Sequence, residues 1–191
     1  MLAAVIVLAV LLVIAVCVLG AVALANRRSA ALHDRFGLEY DRAVGERGNR
    51  REAERELLER SRRHDQLQIK PLDAMQREAF AASWRGVQSR FVDAPREAVA
   101  DADTLVRQVM SERGYPTGDF ERESADLSVE HANVVDHYRA AHEIRMRDGD
   151  DLRGDGEGAT TEELRTAMVH YRALFDALLE PSPQTAAAAR Q

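Results

Sequence analysis

Two tetrapeptides, His137-Tyr138-Arg139-Ala140 and His170-Tyr171-Arg172-Ala173, stand 33 residues apart and group ionisable with hydrogen-bonding side chains. Guanidinium recognises carboxylate and phosphate, and imidazole carries a proton near neutral pH, so an anion site is the chemistry such a pattern offers. Helical geometry restricts it. Successive side chains point about 100° apart, so a Tyr that faces inward sends its His and Arg to opposite sides. Convergence needs two antiparallel helices, bringing His137 or His142 to Arg172. Tyr138, Arg139, His142, His170 and Arg172 form the candidate ligand-binding set on that reading. The competing expectation is tyrosines at a core boundary, rings buried and hydroxyls at the rim. Two copies with unlike flanks do not make a repeat architecture.

Metal and catalytic patterns are incomplete. His131, His137 and His142 are spaced by 6 and 5, and neither spacing stacks two imidazoles on one helix face. Asp151, Asp155, Gly156 and Glu162 fit positions of a calcium-loop template, but Arg153 stands where an oxygen ligand belongs and Gly158 where an apolar residue is usual. A solvated connector is expected there. The glycines of Gly154-Asp155-Gly156-Glu157-Gly158 lack the preceding strand that dinucleotide binding requires, and no nucleophile elbow or Walker loop occurs. No catalytic residue, metal or cofactor is assigned, and a non-enzymatic role is expected. Six arginines between Arg50 and Arg63 are interleaved with Glu52, Glu54, Glu56 and Glu59, as on a solvated helix face. With a net charge of −6, no nucleic-acid partner is expected.

The elements that would position these residues are helical. Aromatics are few, while alanine, leucine and charged residues are abundant, which favours an all-α fold. Arginine supplies all the positive charge except Lys70, a composition that points to a high-GC bacterial genome. The chain opens with 24 uncharged residues, Leu2 to Ala25, which as a helix would span about 36 Å against a hydrocarbon core of about 30 Å. Ala23-Leu24-Ala25 has the form of a signal-peptidase site. No basic residue precedes the run, however, and it exceeds an h-region of about 7–15 residues, so an uncleaved anchor over 1–26 is expected. Cys17, the single cysteine, follows Val16 where a lipoprotein motif needs a small residue, and it says nothing about redox compartment. Arg27, Arg28, Arg35 and Arg42 follow the run, which predicts a cytoplasmic domain, with Arg27 and Arg28 at the membrane interface against anionic lipid.

A juxtamembrane segment over 27–48 is broken at Gly37 and carries a short amphipathic stretch over 38–44. A charged helix follows over 49–66. Asp73 with Gln76, and Thr160 with Glu163, are capping boxes opening two further helices. Phe80, Trp84, Val87 and Phe91 recur on one helix face, as do Leu164, Met168, Tyr171, Phe175 and Leu178. Between them lie an apolar face from Val99 to Met110 ending at Gly114, a turn over 115–118, a short helix over 120–125, a helix over 130–146 and an acidic loop over 148–158. The expected organisation is an anchor over 1–26, a juxtamembrane segment over 27–48, a small helical bundle over 49–180 and a disordered tail over 181–191.

Several of these segments together resemble an uncharacterised group of actinobacterial membrane or secreted proteins. They are Arg35-Phe36-Gly37-Leu38-Glu39-Tyr40-Asp41-Arg42-Ala43-Val44, Phe91-Val92-Asp93, Arg113-Gly114-Tyr115-Pro116, Ala125-Asp126-Leu127-Ser128-Val129 and Met168-Val169-His170-Tyr171-Arg172. The resemblance covers about 35–180 and implies no activity. The functional expectation is a single-pass, membrane-tethered helical interaction or scaffold module with another protein as partner. A small-ligand sensor or unrecognised enzyme, and a secreted domain cut after Ala25, are the alternatives.

Overall fold

The structure, a computed structural model, describes residues 2–151 and 158–180. Arg153, Asp155 and Gly156 of the calcium template and the tail over 181–191 lie outside the described residues. Among the described residues all regular structure is helical: α1 Leu2–Phe36, α2 Leu38–Arg47, α3 Arg50–His64, α4 Ala74–Arg90, α5 Pro95–Arg113, α6 Phe120–Glu130, α7 Val135–Asp151 and α8 Thr161–Leu179. The protein is all-α, with one N-terminal apolar helix followed by a bundle-like region. It forms two compact units, Met1–Leu58 and Glu59–Gln191.

In the first unit α1 continues without a break past the apolar run, because nothing before Gly37 interrupts helical geometry. Gly37 adopts φ +51, a region that side chains disfavour, and its N–H donates to the His33 carbonyl at 2.8 Å. Leu11–Phe36 is long and apolar enough to cross a membrane. Every large apolar side chain from Leu11 to Leu24 is at least half exposed, from 52% at Val22 to 69% at Leu19. Apolar burial begins only beyond that run, at Leu32 and Phe36 of α1, Tyr40 and Ala43 of α2, and Ala53 and Leu57 of α3.

The second unit is built around α5, which packs against α4, α7 and α8. Both expected capping boxes form, Asp73 with Gln76 and Thr160 with Glu163. Pro95 opens α5, where its missing N–H removes no helical bond, and Gly114 ends it at φ +96. The α3–α4 connector lies against that end: Lys70 N–H donates to the Arg113 carbonyl at 2.9 Å. α7 and α8 pair antiparallel, with His137 meeting His170 and Arg147 meeting Glu163. The stripe Leu164, Met168, Tyr171, Phe175 and Leu178 is buried as its spacing predicts.

Three helix boundaries differ from expectation. The helix expected over 120–125 runs on to Glu130, and the next begins at Val135 rather than Glu130. The inward row of α6 is Phe120, Glu123, Leu127 and Glu130, so two carboxylates interrupt the apolar period that would have shown its length. Asp148, expected in the acidic loop, is a buried residue of α7. It accepts from the Ala159 N–H at 3.2 Å and pairs with Arg96 at 2.7 Å.

Candidate functional site

The tyrosine echo lies in the core of the second unit. Tyr138 and Tyr171 meet edge to face, ring centroids 6.4 Å apart, but their hydroxyls are buried rather than at the rim. Tyr138 donates to Glu123 Oε2 at 2.6 Å, and Tyr171 to Asp103 Oδ1 at 3.0 Å. Burial, reinforced by these carboxylates, pushes both phenols well above the ordinary tyrosine range. Glu123 Oε1 accepts from the Gly118 N–H at 2.6 Å; Arg107 faces Glu123 and Asp103 at 3.5 Å each, and Arg145 faces Asp103 at 3.5 Å. Both carboxylates are thus surrounded by donors from α5, α7, α8 and the turn before α6. Such an arrangement holds α5, α6, α7 and α8 in register and leaves little acceptor capacity for a substrate.

A second polar cluster closes the end of the bundle. Arg113, fully buried, donates to the Leu178 carbonyl at 3.1 Å, meeting an acceptor in the last turn of α8. Its other neighbours are Glu130 at 3.6 Å and His131 Nε2 at 3.3 Å. Tyr115 donates to the same Glu130 at 2.8 Å, and burial with that carboxylate raises its phenol. Burial and the Arg113 charge lower His131 to about 4, keeping it neutral at pH 7 as an acceptor for Arg113.

The five residues expected to form a ligand site occupy separate environments. Tyr138 belongs to the core network. Arg139 pairs with Asp136 at 3.0 Å. His142 stacks on Phe120, centroids 3.6 Å apart, and burial lowers its pKa. His170 contacts His137 through Nδ1 atoms 2.7 Å apart, so the antiparallel pair brings the two echo histidines to each other rather than to Arg172. Arg172 lies over the rings of Trp84 and Phe175 at 5.6 and 6.0 Å, held by Asp176 at 2.7 Å. Arg27 and Arg28 are exposed on α1, within the first turn beyond the apolar run.

Arg172 leads to a surface the sequence did not disclose. α4 and α8 flank α5 and are bridged by the stack of Trp84 on Phe175, centroids 4.7 Å apart. Beside that bridge a cleft of about 280 Å³ is lined by Trp84, Gln88 and Phe91 from the α4 side and by Arg165, Met168, Val169 and Arg172 of α8. Spacings of 3 and 4 along both walls are those of a groove that takes one face of a helix. Val169 is 63% exposed at its lip, and the indole Nε1 of Trp84 is buried with no hydrogen-bond partner among the described residues. The cleft is apolar at its floor and cationic at its rim. No family model, curated protein or solved structure matches this chain.

Proposed function

We propose that this chain is a single-pass, membrane-tethered interaction module. α1 lies across the bilayer, and the second unit, on the cytoplasmic side, offers the α4/α8 cleft to an amphipathic segment of another protein. One observation carries the reading. Nine large apolar side chains stand exposed between Leu11 and Leu24. Leaving them half in water forgoes roughly 1 kcal/mol or more each, a sum comparable with the whole stability of a domain, about 5–15 kcal/mol. A bilayer removes that penalty, and the length of the run matches it. Arg27 and Arg28 directly after the run support a cytoplasmic second unit. The internally committed carboxylates and tyrosines of the core favour binding over catalysis as the role of the folded unit.

Photo-crosslinking from Val169 in cells tests the module. The full-length protein should give a discrete adduct with a membrane-associated protein, weaker when residues 2–25 are removed. Equal capture by the truncated form would count against tethering, and the same adduct from Arg122, exposed on α6 and outside the cleft lining, would count against the cleft.

A further inference from the structure

We infer that the partner of the α4/α8 cleft is an acidic amphipathic helix, one whose apolar ridge is flanked by carboxylates two turns apart. This rests on the reading of the cleft as an interaction site and goes beyond it in fixing the chemistry of the occupant. Charge supplies the first argument. Of the side chains lining the cleft, Arg165 and Arg172 are cationic, Gln88 is an amide and none is acidic. The two guanidiniums flank the exposed Val169 on α8 and are separated by about 10.5 Å along its axis. Their present partners hold them loosely. Arg165 pairs with Glu162 and Arg172 with Asp176 within α8 itself, and the four side chains are 44–77% exposed. Exposed pairs of this kind are screened and contribute little. Each guanidinium can therefore exchange its carboxylate for one carried on a helix that also covers the apolar floor.

The order of charges decides between occupants. An outward row of α8 reads Glu162, Arg165, Val169, Arg172, Asp176, spaced 3, 4, 3 and 4, and all five are exposed. The row is a charge palindrome about Val169. A second copy of this chain fits it poorly. Two α8 helices paired about a two-fold axis at Val169 would bring Arg165 of one copy toward Arg172 of the other, and Glu162 toward Asp176, like charge against like. The complement of the palindrome is an apolar residue with a carboxylate one turn before it and another one turn after it. A helix of that pattern lays its apolar residue beside Val169, Met168 and Trp84 and sets both carboxylates over the guanidiniums, whichever way the helix runs.

Trp84, the only tryptophan, is a reporter inside the cleft. With 5-fluorotryptophan incorporated, the full chain in phosphatidylcholine nanodiscs gives a single tryptophan fluorine resonance. It is titrated with three helical peptides that share one apolar ridge and carry Glu, Gln or Lys at the two flanking positions. The Glu peptide should move the resonance and bind about five- to tenfold more tightly than the Gln peptide, a margin that shrinks with added salt, and the Lys peptide should bind most weakly. Arg165→Gln with Arg172→Gln should level the Glu and Gln peptides, and Arg165→Glu with Arg172→Glu should transfer the preference to the Lys peptide. Equal binding of the Glu and Gln peptides by the wild type, an order unchanged in the charge-reversed variant, or no binding of any peptide would overturn the inference. A resonance that shifts on dilution without peptide would put a second copy in the cleft and overturn it as well. The photo-adduct from Val169 separates the two readings: an adduct formed equally by the wild type and the charge-reversed variant sinks the acidic chemistry alone, whereas the lack of any adduct sinks the cleft.

Discussion

The hydroxyl of Tyr171 on α8 reaches Asp103 on α5 over 3.0 Å, joining two helices through a carboxylate that is itself buried. Removing a donor from a buried charge costs more than the bond contributes, because the charge loses solvation that water cannot replace. Tyr171→Phe, which keeps the ring, should destabilise the second unit by about 1.5–3 kcal/mol. Thermal or urea unfolding of the variant checks it. The double variant with Asp103→Asn should lose less than the two single losses added.

His131 gives the second unit an acid sensitivity of defined sign. Its folded-state pKa of about 4 lies below the ordinary 6.5. As pH falls the unfolded chain takes up the proton first, so this contribution is complete above pH 6.5 and is lost as pH drops toward 4, on the order of 3 kcal/mol in all. His131→Gln, which can still accept from Arg113, should flatten the dependence across that window. Stability measured by urea titration from pH 7.5 to 4 checks it, and parallel curves for the two proteins would refute the assignment.

Two glycines should respond oppositely to alanine. At Gly114, φ is +96 and an added Cβ would come within 2.6 Å of the Gln68 carbonyl oxygen, so Gly114→Ala should destabilise by about 2–4 kcal/mol. Gly86 sits inside α4 with nothing within 4 Å of a Cβ, and Gly86→Ala should stabilise by about 0.5–1 kcal/mol. Melting temperatures of both variants decide the signs.

Nδ1 atoms of His137 and His170 2.7 Å apart can share one proton but not hold two without repulsion. Burial first, and the His137 charge second, lower the His170 pKa. His137→Asn should therefore move the His170 titration upward, stopping short of the ordinary value because burial remains. An NMR titration of the His170 ring reads this directly, and an unmoved midpoint would contradict the pairing.

How much of this was legible depended on whether a residue's role is fixed within its own helix. Capping boxes at Asp73 and Thr160 involve neighbours three residues apart, and the α8 stripe is a helical period, so both could be read from the chain. Asp103 and Arg113 stand on the α5 row Val99, Asp103, Val106, Met110, Arg113, spaced 4, 3, 4 and 3. A charged residue in phase with an apolar row was the available signal for both, as it was for Glu123 and Glu130 on α6, and it passed unnoticed. The meeting of His137 with His170 depends on the register between α7 and α8, which no spacing within one helix encodes. The α4/α8 cleft was hidden for the same reason, since Trp84 of α4 and Arg172 of α8 lie far apart in the chain and come into contact only because both helices pack on α5.

The placement of α1 is tested most directly by Cys17, the only cysteine and an exposed residue in the middle of the apolar run. In sealed right-side-out vesicles, a membrane-impermeant maleimide should leave Cys17 unmodified until detergent is added. External protease should likewise spare the second unit until the vesicles are opened. Labelling of Cys17 in intact vesicles, or digestion of the second unit from outside, would contradict a span with a cytoplasmic domain.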